Sequence, residues 1–400
     1  MNSDIHLLLS PYGQQALRSA EELSPCESDY LASFQTLSRQ YPPDLARSAL
    51  EIAILRTEAK VKFPFAEQLY FTRPALEQAS SWVVSNYRAA RFSGFQRVID
   101  LGCSIGGDTM AFAQTAEVIG IDHDPKRLTY AQANLTAIDL NERAHFIRAD
   151  LACSLPLTGG SRSTALFFDP ARRHDGRRLY SVHDYRPPLS AVNKWLLDYP
   201  AIGVKLSPGV DRAEMESFQG EIEFISLAGN LKEAVLWFGP LCSVRWRATV
   251  LPGPHSLVAE PDASCPLSEP LAYLYEPDPA VLRATLVQTL AVQIDAGMLD
   301  PDIAYLTARD RVDTPFARVW AVEDWLPFNL KRLRTYLRER HIGRLTVKKR
   351  GSPLEPTKLI HDLKLQGDNE RVIFLTHLMG KPIVVIALPN PGEGGIRSPD

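Results

Sequence analysis

The 400-residue sequence lacks several features that would mark a specialised class of protein. It has no excess of one charge: 44 Lys and Arg stand against 47 Asp and Glu, a formal net of -3. That balance excludes a polycation wrapped in nucleic acid over its whole surface, but it allows a local basic face. Only five cysteines occur, Cys26, Cys103, Cys153, Cys242 and Cys265, far apart and without a CxxC pair. Neither a disulfide framework nor a zinc site is therefore predicted. The nine histidines are dispersed and form no HxxxH pair. The first apolar run, residues 5–9, is too short for a secretion signal or a membrane span. With 45% hydrophobic and 23% charged residues the chain has a globular composition, and its length calls for two or three domains. The expectation is a soluble, cytoplasmic protein with no metal and no membrane partner; its oligomeric state is not specified.

What is present divides along the chain. Residues 1–92 hold few glycines and show helical periodicity: Leu45, Ala49, Ile52, Ala53 and Leu55 form an apolar stripe with Arg47, Glu51 and Arg56 off it. A further helix is predicted over 75–88, with Thr72 as N-cap and Pro74 in the first turn. Residues 93–250 then alternate short apolar runs (98–101, 118–122, 146–148, 166–168, 202–206, 222–226, 234–238) with helices at 109–114, 126–135 and 191–197. Such alternation specifies an α/β fold with a mostly parallel sheet. The last two runs are close enough in sequence to make one edge antiparallel. Prolines punctuate a linker at 251–270, and a third domain follows at 271–388, ending in a strand near 382–388. Within it, residues 331–365 carry eleven Lys and Arg against three Asp and Glu. The Pro- and Gly-rich tail 389–400 is expected to be disordered.

The most informative stretch reads Val98-Ile99-Asp100-Leu101-Gly102-Cys103-Ser104-Ile105-Gly106-Gly107-Asp108-Thr109. An apolar strand enters a glycine-containing turn that opens a helix, so a ligand can approach the backbone at Gly102 and Gly106. The next strand ends at Asp122, placed to accept hydrogen bonds from the hydroxyls of a ribose. The spacing G-x-x-x-G-G departs from the dinucleotide pattern G-x-G-x-x-G. An acid at the strand end would repel a pyrophosphate but suits an ammonium group, which favours S-adenosyl-L-methionine over a dinucleotide. Asp150 closes the third strand, where an adenine amino group can be received. Asp169 and Pro170 follow the fourth strand, at the carboxyl edge where ligands bind in such sheets.

These four motifs in order resemble a class I S-adenosylmethionine-dependent methyltransferase with a Rossmann-like sheet. The resemblance implies cofactor-binding roles for Asp100, Gly102, Ser104, Gly106, Asp108, Asp122 and Asp150, and catalytic roles for Asp169, Pro170 and Arg172. A narrower similarity rests on residues 71–80 (F-T-R-P-A-L-E-Q-A-S), 168–173 (F-D-P-A-R-R), 205–209 (K-L-S-P-G) and 343–351 (G-R-L-T-V-K-K-R-G). It is to bacterial methyltransferases with a small α+β C-terminal THUMP-like domain, and it implies an RNA partner, tRNA or rRNA. Thr72 and Gln78 would then sit in a segment covering the cofactor.

One departure matters. Methyltransferases of base amino groups often carry (Asp/Asn/Ser)-Pro-Pro-aromatic, whose aromatic residue stacks on a flipped base. Ala171 and Arg172 replace the second proline and the aromatic, so Asp169 keeps an acceptor for an N–H while the stacking platform is missing. Arg172 can stack through its guanidinium or hold a phosphate.

The chemistry asked of the site is an in-line displacement in which positioning supplies much of the acceleration. Arg173 and Arg177 lie in an arginine-rich loop beside it, and Lys348, Lys349 and Arg350 in the basic C-terminal stretch; all five are candidate RNA contacts. Each also has a plainer reading, as an ion-pair loop or a solvated face. Asp122 can alternatively cap the helix near Pro125, although Asp124 fits that place better. Trp325, Phe328 and Tyr336 read as core. The predicted activity is methyl transfer to a nucleotide of structured RNA. The alternatives are a small-molecule or protein acceptor, or an RNA-binding protein with a vestigial cofactor pocket.

Overall fold

In the computed structural model the described residues are 5–152, 155, 157, 160–170 and 181–389, with backbone alone at 173–174 and 177–178. The chain forms two compact units. One comprises the chain up to Ile225 together with Lys232–Arg245; the other comprises Ser226–Leu231 and the chain from Trp246 onward.

In the first unit, helix Pro43–Ala59 buries Leu45, Ala49, Ile52, Ala53 and Leu55, the stripe read from the sequence. It packs with Leu8, Leu17 and Leu37 into a core that Tyr130 and Ala133 of helix Pro125–Ala137 also flank. The helix predicted over 75–88 is two helices, Arg73–Gln78 and Trp82–Arg91. Thr72 does cap the first, its hydroxyl accepting from the Ala75 N–H at 3.4 Å. The break follows from Lys62, whose ammonium donates to the carbonyls of Leu76, Glu77 and Ala79 at 2.7, 3.1 and 2.9 Å. These carbonyls at the helix end need partners, and a cation there also suits the helix dipole. Burial, with Lys205 and Lys232 nearby, pushes the Lys62 ammonium below the ordinary lysine range.

The strands of this unit are β1 Arg97–Leu101, β2 Glu117–Asp122, β3 Ala144–Arg148, β4 Thr164–Phe168, β5 Ile202–Leu206, β6 Glu221–Leu227 and β7 Asn230–Phe238. Their order in the sheet is β3-β2-β1-β4-β5-β7-β6. β1 to β5 are parallel, and β7 runs antiparallel to β5. The antiparallel edge expected from the two closely spaced runs is present, with β7 pairing β5 and β6 beyond it. β4 and β5 are buried along their whole length, as parallel strands covered on both faces must be. The pairings Leu101↔Ile121, Leu101↔Phe168 and Phe168↔Val204 bring the carboxyl ends of four strands to one edge. Helix Gly107–Phe112 follows β1, and the expected helix at 191–197 is a single turn, Val192–Trp195.

The second unit opens with the antiparallel hairpin β8 Trp246–Leu251 and β9 His255–Val258, so the proline-rich stretch begins with a return strand. Its sheet comprises β10 Tyr273–Pro277, β11 Gly297–Asp300, β12 Ile303–Ala308, β13 Ala317–Pro327, β14 Ile342–Lys349, β15 Asn369–Leu378 and β16 Lys381–Ala387. The order is β11-β12-β10-β13-β16-β15-β14, antiparallel except for the β14–β15 pair. Helices Leu330–Glu339 and Pro356–Leu363 precede and follow β14, and they bury Leu333, Leu337, Leu359 and Leu363 on one face of this sheet. Phe328 and Tyr336 pack beside that cluster, and Trp325 beside the cluster on the other face. Among the described residues, no helix is long and apolar enough to cross a membrane, and no group of His, Cys, Asp and Glu could hold a metal ion. The tail predicted to be disordered lies, from residue 390 on, outside the described residues.

Candidate active site

The turn after β1 takes left-handed backbone at Gly102 (φ +84°), Ser104 (φ +52°) and Gly106 (φ +82°). The two glycines have different reasons to be there. A Cβ on Gly102 would come within 2.7 Å of the Asp169 carbonyl oxygen, so this glycine lets the turns after β1 and β4 meet. A Cβ on Gly106 would lie 3.3 Å from Ala131 Cβ and Leu135 Cδ2, which presses the turn onto helix Pro125–Ala137. Asn134 of that helix fixes the same loop, donating to the carbonyls of Ile105 and Tyr70 at 2.9 and 3.0 Å.

Asp122, at the end of β2, is buried. One of its oxygens accepts the Ser104 N–H at 3.0 Å and the other the Asp124 N–H at 2.9 Å. Asp124 caps the helix, accepting from the Lys126 N–H at 2.8 Å, so the capping alternative for Asp122 falls away. Asp150 stands just past β3, exposed, with its carboxylate accepting the Ala152 N–H at 2.9 Å.

Below the turn lies a set of charges that local patterns do not reveal. Arg88 is fully buried, with its guanidinium bonded to Asp108 and Glu233 and lying 5.1 Å from the Phe167 ring centroid. Burial works against the Arg88 charge, but Asp108 and Glu233 outweigh it and raise its pKa. Burial likewise pushes Asp108 up, yet Arg88, Lys205 and the Ser85 hydroxyl at 2.6 Å together hold its carboxyl below the ordinary range. The Asp108 carboxylate, predicted to face the cofactor, is thus bonded to Arg88 and Ser85.

Asp100 is the opposite case. Burial, followed by the charges of Asp108 and Asp169, pushes its carboxyl up to about 8, and the Thr109 hydroxyl at 2.5 Å opposes the shift only in part. Against the ordinary aspartate value of 3.8, the folded state holds this proton across a window in which the unfolded chain has released it. Stability from this group is therefore full below about pH 4 and lost as pH rises towards about 8. Asp100→Asn should remove that loss. In thermal melts without cofactor, the difference in Tm between variant and wild type should move in favour of the variant from pH 5 to about pH 8. A difference that stays constant with pH would contradict the assignment.

At the ends of β4 and β5, Lys205 Nζ lies 2.7 Å from Asp169 Oδ2. The Asp169 N–H also donates to the Leu101 carbonyl at 3.0 Å, and Pro170 is buried behind it. Arg172 lies outside the described residues. Arg173 and Arg177 belong to a two-residue antiparallel ladder, Arg173–His174 with Arg177–Arg178, known here by its backbone alone. The structure therefore brings together Gly102, Ser104, Gly106, Asp100, Asp122 and Asp169, and it adds Lys205. The residue type itself signals Lys205: a lysine within the run Ile202-Gly203-Val204-Lys205-Leu206 must find a partner when the strand is buried.

In the second unit, Lys348 lies 2.8 Å from Glu276 Oε2 and 4.3 Å from the Trp320 ring centroid. Arg350 lies 3.7 Å from Glu276 and donates to the Ala304 carbonyl at 2.9 Å. Lys349 is exposed and donates to the Leu354 carbonyl at 3.0 Å.

Known proteins agree with this architecture. Family models for a methyltransferase domain and for a THUMP domain-like fold match residues 98–175 and 317–389, and a domain of unknown function matches residues 2–59. Over 317 residues the chain is 35% identical to uncharacterised S-adenosylmethionine-dependent methyltransferases from two strains of Mycobacterium tuberculosis, covering 78% of this chain and 85% of theirs. A crystal structure from Porphyromonas gingivalis, provisionally assigned as a methyltransferase, shares the fold with a TM-score of 0.79 at 23% identity, over 94% of this chain and 97% of that one. The chain belongs to the S-adenosylmethionine-dependent methyltransferases. It is an enzyme with a Rossmann-like α/β sheet and a C-terminal THUMP-like domain, and S-adenosylmethionine is its cofactor. The chemistry of the turn fits that cofactor: Asp100, its carboxyl pushed up to about 8, lends little charge at neutral pH, while the acids Asp122 and Asp169 at the strand ends suit a ligand with a sulfonium and an ammonium. They would oppose a pyrophosphate.

Proposed function

We propose that this methyltransferase acts on a nucleotide of structured RNA, tRNA or rRNA. The observation that carries the reading is a cationic helix in the THUMP-like domain. Leu330–Glu339 buries Leu333 and Leu337 while Lys331, Arg332 and Arg338 are exposed, with Arg340 at its end. Cations lined along one helix suit the phosphates of an RNA backbone.

In this reading the turn at Gly102, Ser104 and Gly106 lies against the cofactor, Asp122 accepts from its ribose hydroxyls and Asp150 from its adenine amine. Asp100 shapes the floor of the site, and Asp108 anchors the helix that starts there. Bound S-adenosylmethionine supplies an electrophilic methyl: a carbon–nitrogen bond forms as the carbon–sulfur bond breaks, and sulfur keeps the electron pair. Asp169 accepts the hydrogen bond of the acceptor's N–H and then its proton, on a turn stiffened by Pro170. Arg172, Arg173 and Arg177 take the flanking phosphates, and Lys349 is a separate RNA contact of the THUMP-like domain.

The test uses purified protein, labelled S-adenosylmethionine and total RNA from a strain lacking the enzyme. Label should enter one RNA, and Asp169→Asn should slow single-turnover transfer by roughly 100-fold or more. An unchanged rate would remove Asp169 from the chemistry. A second reading, with a small-molecule or protein acceptor, is favoured by Lys348 and Arg350 spending their charge on Glu276. RNA binding whose affinity falls steeply with salt would count against that second reading.

A further inference from the structure

We propose that Lys205 is a positioning residue for methyl transfer, holding the Asp169 carboxylate as an oriented anion for the N–H of the acceptor. The proposal rests on the assignment of Asp169 above and gives that residue the partner on which it depends. Three observations carry it. The first is register: β4 and β5 pair in parallel at Phe168↔Val204, so the next residues along, Asp169 and Lys205, meet at the carboxyl edge of the sheet. The second is the asymmetry of the pair. The Lys205 side chain is 4% exposed and that of Asp169 25%, so the cation stands behind and the carboxylate reaches outward. An ammonium taken out of water is costly, and apolar packing in its place is often neutral or better for stability alone. A buried lysine set behind a more accessible acid therefore suggests a task at the acid. The third is that the neighbouring lysines are placed elsewhere. Lys62 is bonded to three carbonyls at a helix end, and Lys232 is exposed on β7.

A carboxylate held this way accepts a hydrogen bond in a fixed direction. It takes up the proton of the methylated nitrogen only after transfer, when that nitrogen has become cationic and acidic. Without the ammonium, Asp169 would lose both its aim and its counter-charge. Arg88, Asp100 and Asp108 also lie in the electrostatic reach of this pair, but Arg88 and Asp108 are bonded to each other and Asp100 to Thr109.

The experiment compares wild type with Lys205→Met, Lys205→Arg, Asp169→Asn and the double variant Asp169→Asn/Lys205→Met. Each is incubated with labelled S-adenosylmethionine and an extract of a strain lacking the enzyme, later separated into RNA, protein and small molecules. Single-turnover incorporation should fall about 100-fold in Lys205→Met, as for a misplaced reactive group. Cofactor affinity, measured by calorimetry, should stay within about threefold. Lys205→Arg should recover part of the rate. The double variant should be no slower than Asp169→Asn, because the two residues act as one unit. Should Lys205→Met fold poorly, judged by its melting curve, Lys205→Gln replaces it with the same expectation.

A Lys205→Met rate near wild type, losses that add in the double variant, or a loss that follows cofactor affinity would each overturn the proposal. Asp169→Asn at the wild-type rate beside a slow Lys205→Met would instead overturn the Asp169 assignment. Label in the protein or small-molecule fraction would overturn RNA as the acceptor while leaving the Lys205 comparison readable.

Discussion

Replacing Arg88 with methionine should cost roughly 3–5 kcal/mol of folding stability, the range found when one partner of a buried ion pair is removed. Arg88 has no exposed surface, and its two carboxylate partners, Asp108 and Glu233, are themselves largely hidden. Ser80 and Ser85 add hydroxyl oxygens at 3.2 and 3.3 Å. Methionine nearly fills the volume but takes away the cation that joins the two buried acids. The penalty is then one of uncompensated charge, which makes two checks possible. The triple variant Arg88→Met/Asp108→Asn/Glu233→Gln should recover much of the loss in urea unfolding, because it removes the stranded charges as well. The deficit of the single variant should also widen with pH. Asp108, now held below the ordinary range by Arg88 and Lys205, would in the variant keep only Lys205 and the Ser85 hydroxyl against burial, so its folded pKa rises; stability is then lost as pH rises through that value. A cost below about 1 kcal/mol, or one that the triple variant does not relieve, would show that the network is incidental.

The parts of the fold read most accurately from the sequence are those decided by local physics. β5 falls on the run 202–206 as read, and β1, β2 and β4 begin only one or two residues before their apolar runs, because parallel strands covered on both faces read as unbroken apolar segments. The assignment of Asp124 to the helix cap, which left Asp122 for another role, was legible because an N-cap is defined by the residues that follow it. The misread features depend on residues far apart in the chain. The single helix expected over 75–88 breaks at carbonyls bound by Lys62, 17 residues before Ala79. The antiparallel edge was legible, but the order within it, with β7 inside β6, is a matter of pairing between strands that no local pattern encodes. The charge network was hidden for the same reason, since Arg88 and Glu233 are 145 residues apart. Its signal was the residue type: a glutamate in the run Glu233-Ala234-Val235-Leu236-Trp237-Phe238 needs a buried partner. Composition also blurred two kinds of cation. Lys331 and Arg332 are exposed, whereas Lys348 and Arg350 share Glu276, a residue 72 positions before Lys348.

The contrast between Gly102 and Gly106 separates the site from its scaffold. Both have positive φ, so alanine at either position should cost about 1–2 kcal/mol in backbone strain. Their surroundings differ. At Gly106 the new methyl group would meet two side chains at 3.3 Å, Ala131 and Leu135, and the leucine can turn aside. At Gly102 it would meet the Asp169 carbonyl at 2.7 Å, a backbone atom that cannot yield without moving its whole turn. That turn carries the Asp169 carboxylate and its bond to Lys205. Gly102→Ala should therefore slow methyl transfer about 100-fold, the cost of a misplacement near 1 Å, whereas Gly106→Ala should lose stability with a much smaller change in rate. The two variants, matched by their urea midpoints and compared under single turnover with saturating S-adenosylmethionine, decide the point. Equal rates would mean that the turn after β4 can shift without consequence, and that the acid upon it does not act on the acceptor.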